Sequence, residues 1–291
     1  MAETRTRLLI IHNPRAGGTA RRRYQACLAT LREAGASFEI VEPPSAGGGT
    51  QAASAAAASD RFDAVIAAGG DGTVHAVAVG LVGTSTPLGI IPTGTADVYA
   101  RELDLPRSPS DLARLLLHGN ARSIPVGEVN GQPFLFVVGV GFDAEAVRVF
   151  EVSGSRQLGR LGLVWPALNA LLTARSTLRV KTENSDDEAE WVIVTRAKRY
   201  AAGLMLAPHA DLRQNKFHVL RMKGNSIARL GQLSALAIGQ ARYAPGVTLE
   251  ATDWVAIEGD VNTPVQVDGD ISGQLPLSVR THDSELRVIL P

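Results

Sequence analysis

Short apolar runs alternate with amphipathic stretches along the first 125 residues of the chain. The apolar runs predict buried β-strands, and the stretches with helical periodicity predict α-helices. The predicted strands are 8–11, 37–41, 64–68 and 88–91, and the predicted helices are 21–34, 50–59, 74–81 and 96–102. Residues 47–49, three glycines, are interpreted as a flexible lead into the second helix. This alternation predicts a parallel sheet with helices on both faces.

The pattern changes after about Ile124, where short runs rich in β-branched and aromatic residues are separated by turn signals. The predicted strands are 133–138, 178–181, 191–195, 217–222, 247–251, 255–258, 265–268, 275–280 and 286–290. Turns are predicted at 130–131, 184–187 and 268–269. Two helix-like stretches, 160–174 and 226–241, carry leucine stripes that favour packing in the core or between domains over a lipid-facing lid.

The predicted fold class is therefore α/β plus β. A doubly wound parallel sheet forms an N-terminal domain over residues 1–124, which the last residues, about 282–291, are expected to rejoin. A mostly antiparallel β-sandwich forms a C-terminal domain over residues 125–281.

Composition narrows the function classes. The chain has 291 residues, 45% of them apolar, and its 29 Lys and Arg residues balance 29 Asp and Glu residues. Because no basic patch interleaved with aromatic residues is present, nucleic acid is not expected as a partner. Cys27 is the one cysteine, so an internal disulfide is excluded. No run reaches the ~18 apolar residues of a membrane span, so we expect a cytoplasmic protein that meets a membrane from its inner surface.

The most informative residues are Gly69-Gly70-Asp71-Gly72-Thr73, which follow an apolar run where a buried strand turns into a helix. Glycines let backbone N–H groups approach an anion, and the start of the helix is electropositive. One acidic side chain in such a turn suits the Mg²⁺ that accompanies a nucleotide. A simple surface turn is the alternative for this motif on its own.

Three further motifs fall at chemically sensible places. They are Asn13-Pro14-Arg15-Ala16-Gly17-Gly18 after the first strand, Pro92-Thr93-Gly94-Thr95-Ala96-Asp97 after the fourth, and Val267-Asp268-Gly269-Asp270 near the end. In parallel sheets ligands collect at the carboxyl ends of strands, where the first two lie. With 139–143, Gly-Val-Gly-Phe-Asp, these motifs make the chain resemble the diacylglycerol kinase catalytic-domain family, which includes bacterial lipid kinases and the sphingosine and ceramide kinases.

The resemblance implies an ATP-dependent lipid kinase that transfers the γ-phosphoryl group of ATP to a lipid hydroxyl, with ATP and Mg²⁺ as cofactors. It implies that the N-terminal domain binds the nucleotide, in the cleft between the domains, and that the C-terminal domain binds the lipid substrate. Diacylglycerol is the first expectation for the lipid, and sphingosine or ceramide is the second. The glycine turn is shared with soluble-substrate kinases of the NAD-kinase type, so that function stays open, as does a catalytically silent nucleotide- or lipid-binding protein. Expected partners are a membrane lipid, a membrane surface contacted peripherally, and a second copy of the chain in a homodimer.

The resemblance also implies the site residues. Those expected around the nucleotide are Asn13, Pro14, Arg15, Gly17, Gly70, Asp71, Gly72, Thr73, Gly94 and Thr95. Asp71 is expected to hold Mg²⁺ through the nucleotide or to orient the substrate hydroxyl. Asp270 stands where the family has a glutamate that accepts a proton, with Asp268 as its partner. A simple hairpin turn is the less favoured alternative for Asp268-Gly269-Asp270, because the motif stands at the family position.

Four departures from the family pattern bear on activity. Asp270 is one methylene shorter than the family glutamate, and Ala76 replaces another glutamate. Asp97-Val98 stands where the family has Asn-Asp, and Asn215-Lys216 replaces a carboxylate at a structural magnesium site. A lysine beside that site repels a cation, so a second metal is not expected. These changes motivate the hypothesis of a silent protein.

Overall fold

The computed structural model describes residues 4–14, 18–142, 144–145, 177–200, 204–224 and 226–291. The chain divides into two compact units. Unit 1 comprises Met1–Val126 and Asp283–Pro291, and unit 2 comprises Gly127–His282.

Unit 1 alternates strands and helices in its first half. Its strands are β1 (Arg7–His12), β2 (Ser37–Val41), β3 (Ala64–Gly69), β4 (Leu88–Pro92), β5 (Asn120–Ile124) and, from the end of the chain, β20 (Leu286–Leu290). Its helices are α1 (Gly18–Glu33), α2 (Ala46–Ala58), α3 (Asp71–Leu81), α4 (Val98–Glu102) and α5 (Pro109–His118).

These strands form one sheet in the order β2-β1-β3-β4-β20-β5. All neighbouring pairs are parallel except β20 with the edge strand β5. Buried parallel strands need helices on both faces, which explains their unbroken apolar runs. The predicted α/β class of this part of the chain is confirmed.

Successive side chains along each strand point to opposite faces of the sheet. Leu8, Ile10 and Ile66 pack with α1 and α5 in one continuous core. A second pair of helices is formed by α2 and α3, which pack directly against each other, and the Thr50 hydroxyl donates to the Ala76 carbonyl over 2.9 Å. The short distance between these two helices leaves no room for a side chain at Gly80.

The expectation of a flexible 47–49 segment is wrong, because these glycines form the first turn of α2. Ser45 caps the helix: its hydroxyl accepts a hydrogen bond from the Gly48 N–H over 3.2 Å. A serine cap supplies an acceptor that the first turn lacks, which offsets the poor helix propensity of glycine. At Gly49 an added Cβ would lie only 3.3 Å from the Ala76 Cβ, so the turn also packs closely on α3.

Other boundaries in unit 1 differ from the prediction by a few residues. α3 begins at Asp71 rather than Val74, which places the predicted phosphate motif in the first turn of the helix. α4 begins at Val98 because Asp97 adopts a left-handed backbone (φ 46°). α5 was not predicted, although Ser108 caps it and Pro109 occupies its first position, a strong start signal.

Unit 2 is built mostly of strands. They are β6 (Gly127–Val129), β7 (Gln132–Phe134), β8 (Val137–Gly141), β9 (Leu178–Lys181), β10 (Asp186–Ala189), β11 (Trp191–Thr195), β12 (Arg199–Tyr200), β13 (Leu204–Met205), β14 (Phe217–Met222), β15 (Val247–Thr252), β16 (Val255–Glu258), β17 (Val265–Val267), β18 (Asp270–Ile271) and β19 (Leu277–Thr281). Helix α6 (Ser226–Ala237) and a 3₁₀ turn (Ala241–Tyr243) lie between β14 and β15.

Two six-stranded sheets face each other in unit 2, in the orders β10-β9-β16-β19-β6-β7 and β15-β14-β11-β8-β17-β18. Neighbouring strands in both are antiparallel. Apolar side chains from both sheets, among them Val140, Val194, Phe217 and Ile257, share one core. The predicted antiparallel β-sandwich is confirmed.

Several predicted elements of this region change. The predicted 133–138 strand is two strands, and the predicted turn at 184–187 ends in β10, which pairs with β9. The 286–290 strand belongs to the sheet of unit 1, the domain that the last residues of the chain are expected to rejoin. The predicted 226–241 helix ends at Ala237, and the predicted 160–174 helix lies outside the described residues.

We expect Gly80→Ala to lower the free energy of unfolding by roughly 1–3 kcal/mol, because the new Cβ overpacks the α2–α3 contact. That Cβ would lie 2.4 Å from the Thr50 carbonyl oxygen and 2.8 Å from the Ala53 Cβ. The matched control is Gly47→Ala, where nothing lies within 4 Å, and a gain of up to ~1 kcal/mol is expected from helix propensity. Urea unfolding measures both, and equal effects of the two substitutions would contradict this account of the packing.

Candidate functional site

Three strands of unit 1 end together at one edge of the sheet. His12 of β1 pairs with Ala68 of β3, and Gly69 of β3 pairs with Pro92 of β4. The Asn13 N–H donates to the Ala68 carbonyl and the Thr93 N–H donates to the Gly69 carbonyl, both over 3.0 Å. The loops that follow β1, β3 and β4 therefore start side by side at the carboxyl edge, where α/β sheets bind ligands.

The loops after β3 and β4 touch backbone to backbone. A Cβ added to Gly94 would lie 2.6 Å from the Gly70 Cα, and one added to Gly70 would lie 3.2 Å from the Gly94 Cα. At Gly69 an added Cβ would lie 2.3 Å from the Thr73 hydroxyl oxygen. The glycines at these positions are thus required by close approach, which is the backbone arrangement that an anion-binding turn uses.

Helix α3 begins inside this turn. Its first N–H groups have no partner within the helix and carry partial positive charge. Asp71 lies in the first turn, and its Oδ1 accepts a hydrogen bond from the Tyr99 N–H over 3.2 Å. Thr73 lies 3.5 Å from the Asn13 side-chain amide, measured from Oγ1 to Nδ2. At Gly72 an added Cβ would meet nothing within 4 Å, so there is open space beside the turn.

A buried hydroxyl stands beside the glycine contact. The Oγ1 of Thr93 is buried and makes no hydrogen bond within the described part of the chain. Burying a hydroxyl without a hydrogen-bond partner costs about 1–3 kcal/mol. A bound ligand that supplies the missing partner would account for such a group. Thr93 directly precedes Gly94, which places this donor at the turn that receives the phosphates in our interpretation.

A second orphaned hydroxyl lies near the end of β1. Tyr24 of α1 stacks on His12 with the ring centroids 4.2 Å apart, and the His12 Nδ1 lies 2.8 Å from Glu42 Oε1. The Tyr24 hydroxyl is buried and has no partner among the residues that the structure describes. Burial, and then the negative charge of Glu42, raises the pKa of Tyr24 to about 12, so the hydroxyl stays a neutral donor at physiological pH.

Asp97 links the second glycine turn to α4. Its Oδ1 accepts a hydrogen bond from the Gly94 N–H over 2.8 Å. Burial raises the pKa of Asp97 to about 6, the Gly94 hydrogen bond opposes this rise, and the negative charge of Asp71 adds to it. Carboxylates with raised pKa values cluster at functional sites. The proximity of Asp71 and Asp97 therefore concentrates negative charge beside the electropositive start of α3.

The predicted acidic residues of unit 2 lie on the β17–β18 hairpin. Asp268 and Gly269 form its two-residue turn, with φ values of 50° and 94°. Two consecutive positive φ values define a type I′ turn, for which Asp-Gly is a preferred sequence. The Gly269 N–H donates to the buried Gln266 side-chain oxygen over 2.8 Å, which fixes the turn further.

The two aspartates differ in their surroundings. The Asp268 carboxylate accepts three backbone hydrogen bonds, from Leu135 (2.6 Å), Phe136 (2.8 Å) and Val137 (2.9 Å), so it holds the β7–β8 connection against the hairpin. Asp270 is exposed on β18. Three N–H donors therefore occupy the Asp268 carboxylate, whereas Asp270 faces solvent.

Polar contacts within unit 2 engage both residues of the Asn215-Lys216 pair. Lys216 forms an ion pair with Asp253, with Nζ and Oδ1 2.6 Å apart, and this hydrogen bond raises the pKa of Lys216. Asn215 accepts a hydrogen bond from Thr281. Within those ranges no group of three or more His, Cys, Asp or Glu side chains is placed to hold a metal ion.

Family models match almost the whole chain. The model described as "Diacylglycerol kinase catalytic domain" matches residues 7–129, and the model described as "YegS C-terminal NAD kinase beta sandwich-like domain" matches residues 136–290. The chain belongs to the diacylglycerol kinase catalytic-domain family. Homologues in this family indicate a lipid kinase.

Relatives and solved structures are similar over most of the chain. A diacylglycerol kinase from Bacillus subtilis is 28% identical over 79% of this chain and 78% of its own length. One from Staphylococcus epidermidis is 25% identical over 99% of this chain and 93% of its own length. A solved diacylglycerol kinase structure from Bacillus anthracis is similar in fold, with a TM-score of 0.72 at 18% identity over 99% of this chain and 97% of that one.

Eight of the ten residues that the family resemblance assigned to the nucleotide lie in the three loops at the carboxyl edge of unit 1 or in the first turn of α3. They are Asn13, Pro14, Gly70, Asp71, Gly72, Thr73, Gly94 and Thr95. Pro14 follows Asn13 in the same loop, whereas Arg15 and Gly17 lie outside the described residues. Their roles in binding stay predictions. Asp268 and Asp270 belong to unit 2.

Sequence reasoning did not single out Thr93 or Tyr99. Thr93 stands inside the motif Pro92–Asp97, but only its burial without a partner marks it as a candidate donor. Tyr99 contributes through its backbone N–H, for which the residue type gives no signal. At the position of Ala76, by contrast, close packing on Gly49 accounts for the small residue in place of the family glutamate.

We expect Asp97→Asn to change how stability depends on pH. The wild-type carboxyl has a pKa of about 6 in the folded protein, against ~3.9 when unfolded, so the native state holds the proton more tightly. Wild-type stability should therefore fall as the pH rises from about 4 to 6, whereas the amide variant lacks this slope. Since the group is partly solvated, the variant should gain about 1 kcal/mol over wild type above pH 7 and little at pH 4.

Urea unfolding at several pH values between 4 and 8 measures this difference. Asp63→Asn is the control of opposite sign: burial alone would raise the pKa of Asp63, but hydrogen bonds from Arg7 and Thr6 outweigh it and lower that pKa. That carboxylate stabilises the fold above its unfolded pKa, so its variant should lose stability at neutral pH. Identical pH slopes for wild type and Asp97→Asn would contradict the assignment.

Proposed function

We propose that the protein is an ATP-dependent, Mg²⁺-requiring kinase that phosphorylates the hydroxyl of a lipid, with diacylglycerol as the first candidate. The observation that carries the proposal is the backbone contact between Gly70 and Gly94 at the start of α3. This contact places two glycine turns and the N-terminus of a helix at one point, and membership of the family supplies the expectation that the bound anion is a nucleotide triphosphate.

The residues of unit 1 fit a triphosphate and its metal. The turn offers backbone N–H groups, the Thr73 and Thr93 hydroxyls and the Asn13 amide as donors. Asp71 offers a carboxylate at the same turn, and Mg²⁺ is commonly held by one or two carboxylates together with substrate phosphates. Bound there, the metal would neutralise charge on the phosphates during transfer. Open space at Gly72 gives the phosphates room.

The proposed reaction moves one phosphoryl group and one proton. The lipid hydroxyl oxygen forms a bond to the γ-phosphorus, the bond from that phosphorus to the β–γ bridging oxygen breaks, and ADP leaves. We assign Asp270 as the acceptor of the hydroxyl proton, because its carboxylate is exposed. Asp268 is assigned as the positioning residue that fixes the hairpin carrying Asp270.

A soluble-substrate kinase of the NAD-kinase type is the second candidate, since the model that matches the sandwich describes it as NAD kinase-like. Sphingosine and ceramide are the competing lipid acceptors, and a silent nucleotide-binding protein is the candidate without catalysis. These candidates differ in the acceptor that receives phosphate, so a single assay separates them.

We expect label transfer from γ-³²P-ATP to diacylglycerol in an assay that also offers ceramide, sphingosine, undecaprenol and NAD as acceptors. Transfer should require Mg²⁺ and stop on chelation by EDTA. Label on NAD alone would replace the lipid kinase by the second candidate. ATP binding measured by calorimetry, without transfer to any acceptor, would favour the silent protein.

We expect Asp270→Asn and Asp268→Asn to fail in different ways. Asp270→Asn should lower kcat by about two orders of magnitude or more with unchanged urea unfolding, because only the proton acceptor is lost. Asp268→Asn replaces an acceptor-only carboxylate by an amide with one acceptor oxygen. It should lower the free energy of unfolding by about 1–3 kcal/mol, because backbone N–H groups lose their partner.

Parallel measurements of kcat, KM for ATP and urea unfolding separate the two effects. Asp260→Asn is the matched control, since Asp260 is an exposed aspartate of unit 2 whose carboxylate bonds only within its own loop. A stable, fully active Asp268→Asn variant would remove the positioning role. Wild-type turnover in Asp270→Asn would remove that residue as the base.

A further inference from the structure

Helix α6 buries the side that carries its polar residues and exposes an apolar side, which is the reverse of an ordinary surface helix. Arg229, Gln232 and Leu236 lie on the side that is buried. Ile227 and Leu230 lie on the opposite side, 81% and 56% exposed. At 100° per residue these two sets occupy opposite faces of one helix. An ordinary surface helix would bury the isoleucine and expose the arginine.

Polar contacts fix this orientation. The Arg229 Nη2 lies 2.6 Å from the Glu190 Oε2 in a partly buried ion pair. The Gln232 Nε2 donates to the Lys223 carbonyl over 2.8 Å and to the Pro245 carbonyl over 2.9 Å. Rotating the helix to bury its apolar side would break these contacts and leave backbone carbonyls without partners, which is costly. The apolar side is therefore held outward.

The apolar side continues beyond the helix. Ile238 is 74% exposed just after the end of α6, and Tyr243 of the 3₁₀ turn is 66% exposed. Tyr243 borders the same surface as Ile227: a groove of about 510 Å³ runs between α6 and the turn, with Ile227, Gly231 and Tyr243 among its walls. Ile238 continues the last helical turn through its N–H bond to the Ser234 carbonyl, and at 100° per residue it falls on the side of Ile227. We call the set Ile227, Leu230, Ile238 and Tyr243 the α6 face. Exposed apolar clusters of this kind mark surfaces that meet a partner.

The charge around the α6 face favours an anionic partner. Residues 212–249 contain six Lys and Arg residues and neither Asp nor Glu. Four of these cations form ion pairs with carboxylates from outside that segment: Arg213, Lys216, Arg221 and Arg229. The positive charge at the α6 face therefore comes from Lys223 and Arg242, which form no ion pair within the described part of the chain. Lys223 is exposed at the start of the α6 segment, and the Arg242 guanidinium lies 4.5 Å from the centre of the Tyr243 ring. Tyrosine and flanking cations beside apolar side chains are typical of surfaces that sit at a bilayer interface.

We propose that the α6 face binds the surface of an anionic lipid bilayer, with Ile227, Leu230 and Ile238 entering the interface and Lys223 and Arg242 meeting lipid phosphates. The inference rests on the proposed function insofar as a lipid substrate brings the protein to a bilayer. A second copy of the chain is the competing occupant, but Lys223 and Arg242 at the border of the face would bring like charges together in such a pair, which opposes self-association through it.

Vesicle sedimentation tests the proposal with the full chain. The vesicles are phosphatidylcholine alone or an equimolar mixture with phosphatidylglycerol. The double variant Ile227→Ser/Leu230→Ser should lower the partition coefficient on mixed vesicles by about tenfold or more, because two apolar side chains leave the interface. Lys223→Gln/Arg242→Gln should lower it by about fivefold per charge on mixed vesicles, and this loss should shrink at high salt.

Two controls keep the result specific. Ile40→Ser removes an apolar side chain that is 42% exposed on β2, and Arg21→Ala/Arg22→Ala removes two exposed cations from α1. Both variants should bind mixed vesicles as wild type does. Unchanged binding of the Ile227/Leu230 variant, or a wild type that binds neither vesicle, overturns the proposal.

Two further measurements distinguish membrane binding by the α6 face from self-association through that face and from the proposed kinase function. Analytical ultracentrifugation should show the same oligomeric state for wild type and the Ile227/Leu230 variant, and dissociation of a dimer by that variant overturns the membrane assignment. Phosphorylation of a monodisperse short-chain diacylglycerol should be equal in both proteins. A wild type that binds mixed vesicles through the α6 face but phosphorylates no lipid refutes the proposed function and leaves the surface standing.

Discussion

The approach of Gly70 to Gly94 is the constraint on which the candidate site depends. Parallel pairing makes β3 and β4 end side by side, and the two loops that follow these strands leave the sheet with their backbones in contact. Because no Cβ fits between them, the start of α3 and the turn before α4 are fixed relative to each other. The hydrogen bond from the Tyr99 N–H to Asp71 and that from the Gly94 N–H to Asp97 cross-link the same two loops.

This arrangement concentrates opposite charges in a small volume. The start of α3 is electropositive, while Asp71 and Asp97 place carboxyl groups beside it. Burial is the main cause of the raised pKa of Asp97, and the negative charge of Asp71 adds to it. A bound cation would offset the contribution of Asp71, and a polyanion that brings its own cation satisfies both the N–H groups and the carboxylates. A magnesium–nucleotide complex is a ligand of this kind.

Much of the fold was predictable because its strands are buried on both sides or on one. The runs at β9, β11, β14, β16 and β20 were predicted to the residue, since apolar and β-branched side chains there pack into a core. β2 was also predicted to the residue, although most of its side chains are exposed. The errors have other causes. Glycines 47–49 suggested flexibility, but a serine cap and close packing on α3 hold them in a helix. The last strand, by contrast, was expected to rejoin the first domain, and it lies in the sheet of unit 1 between β4 and β5.

The residues of the candidate site were likewise only partly predictable from the sequence. Glycine turns could be predicted from sequence because a close backbone approach leaves its requirement in the residue type. Thr93 and Tyr99 could not, because a buried hydroxyl and a backbone N–H acquire their importance from the surrounding fold. The motif Asp268-Gly269-Asp270 lies between these cases. Its interpretations as a turn and as an acidic site looked exclusive, yet in the structure the first aspartate makes the turn and the second remains exposed.

That arrangement bears on the substitution of the family glutamate by Asp270. A shorter acid reaches its target only if the backbone that carries it stands in the right place. The β17–β18 hairpin is well fixed: Asp268 accepts three backbone hydrogen bonds, and Gly269 donates to the buried Gln266. A rigid hairpin removes the conformational freedom that a longer side chain would use to find the hydroxyl. Misplacement by ~1 Å can cost on the order of 100-fold in rate, so the position of this hairpin decides whether an aspartate there is a competent base.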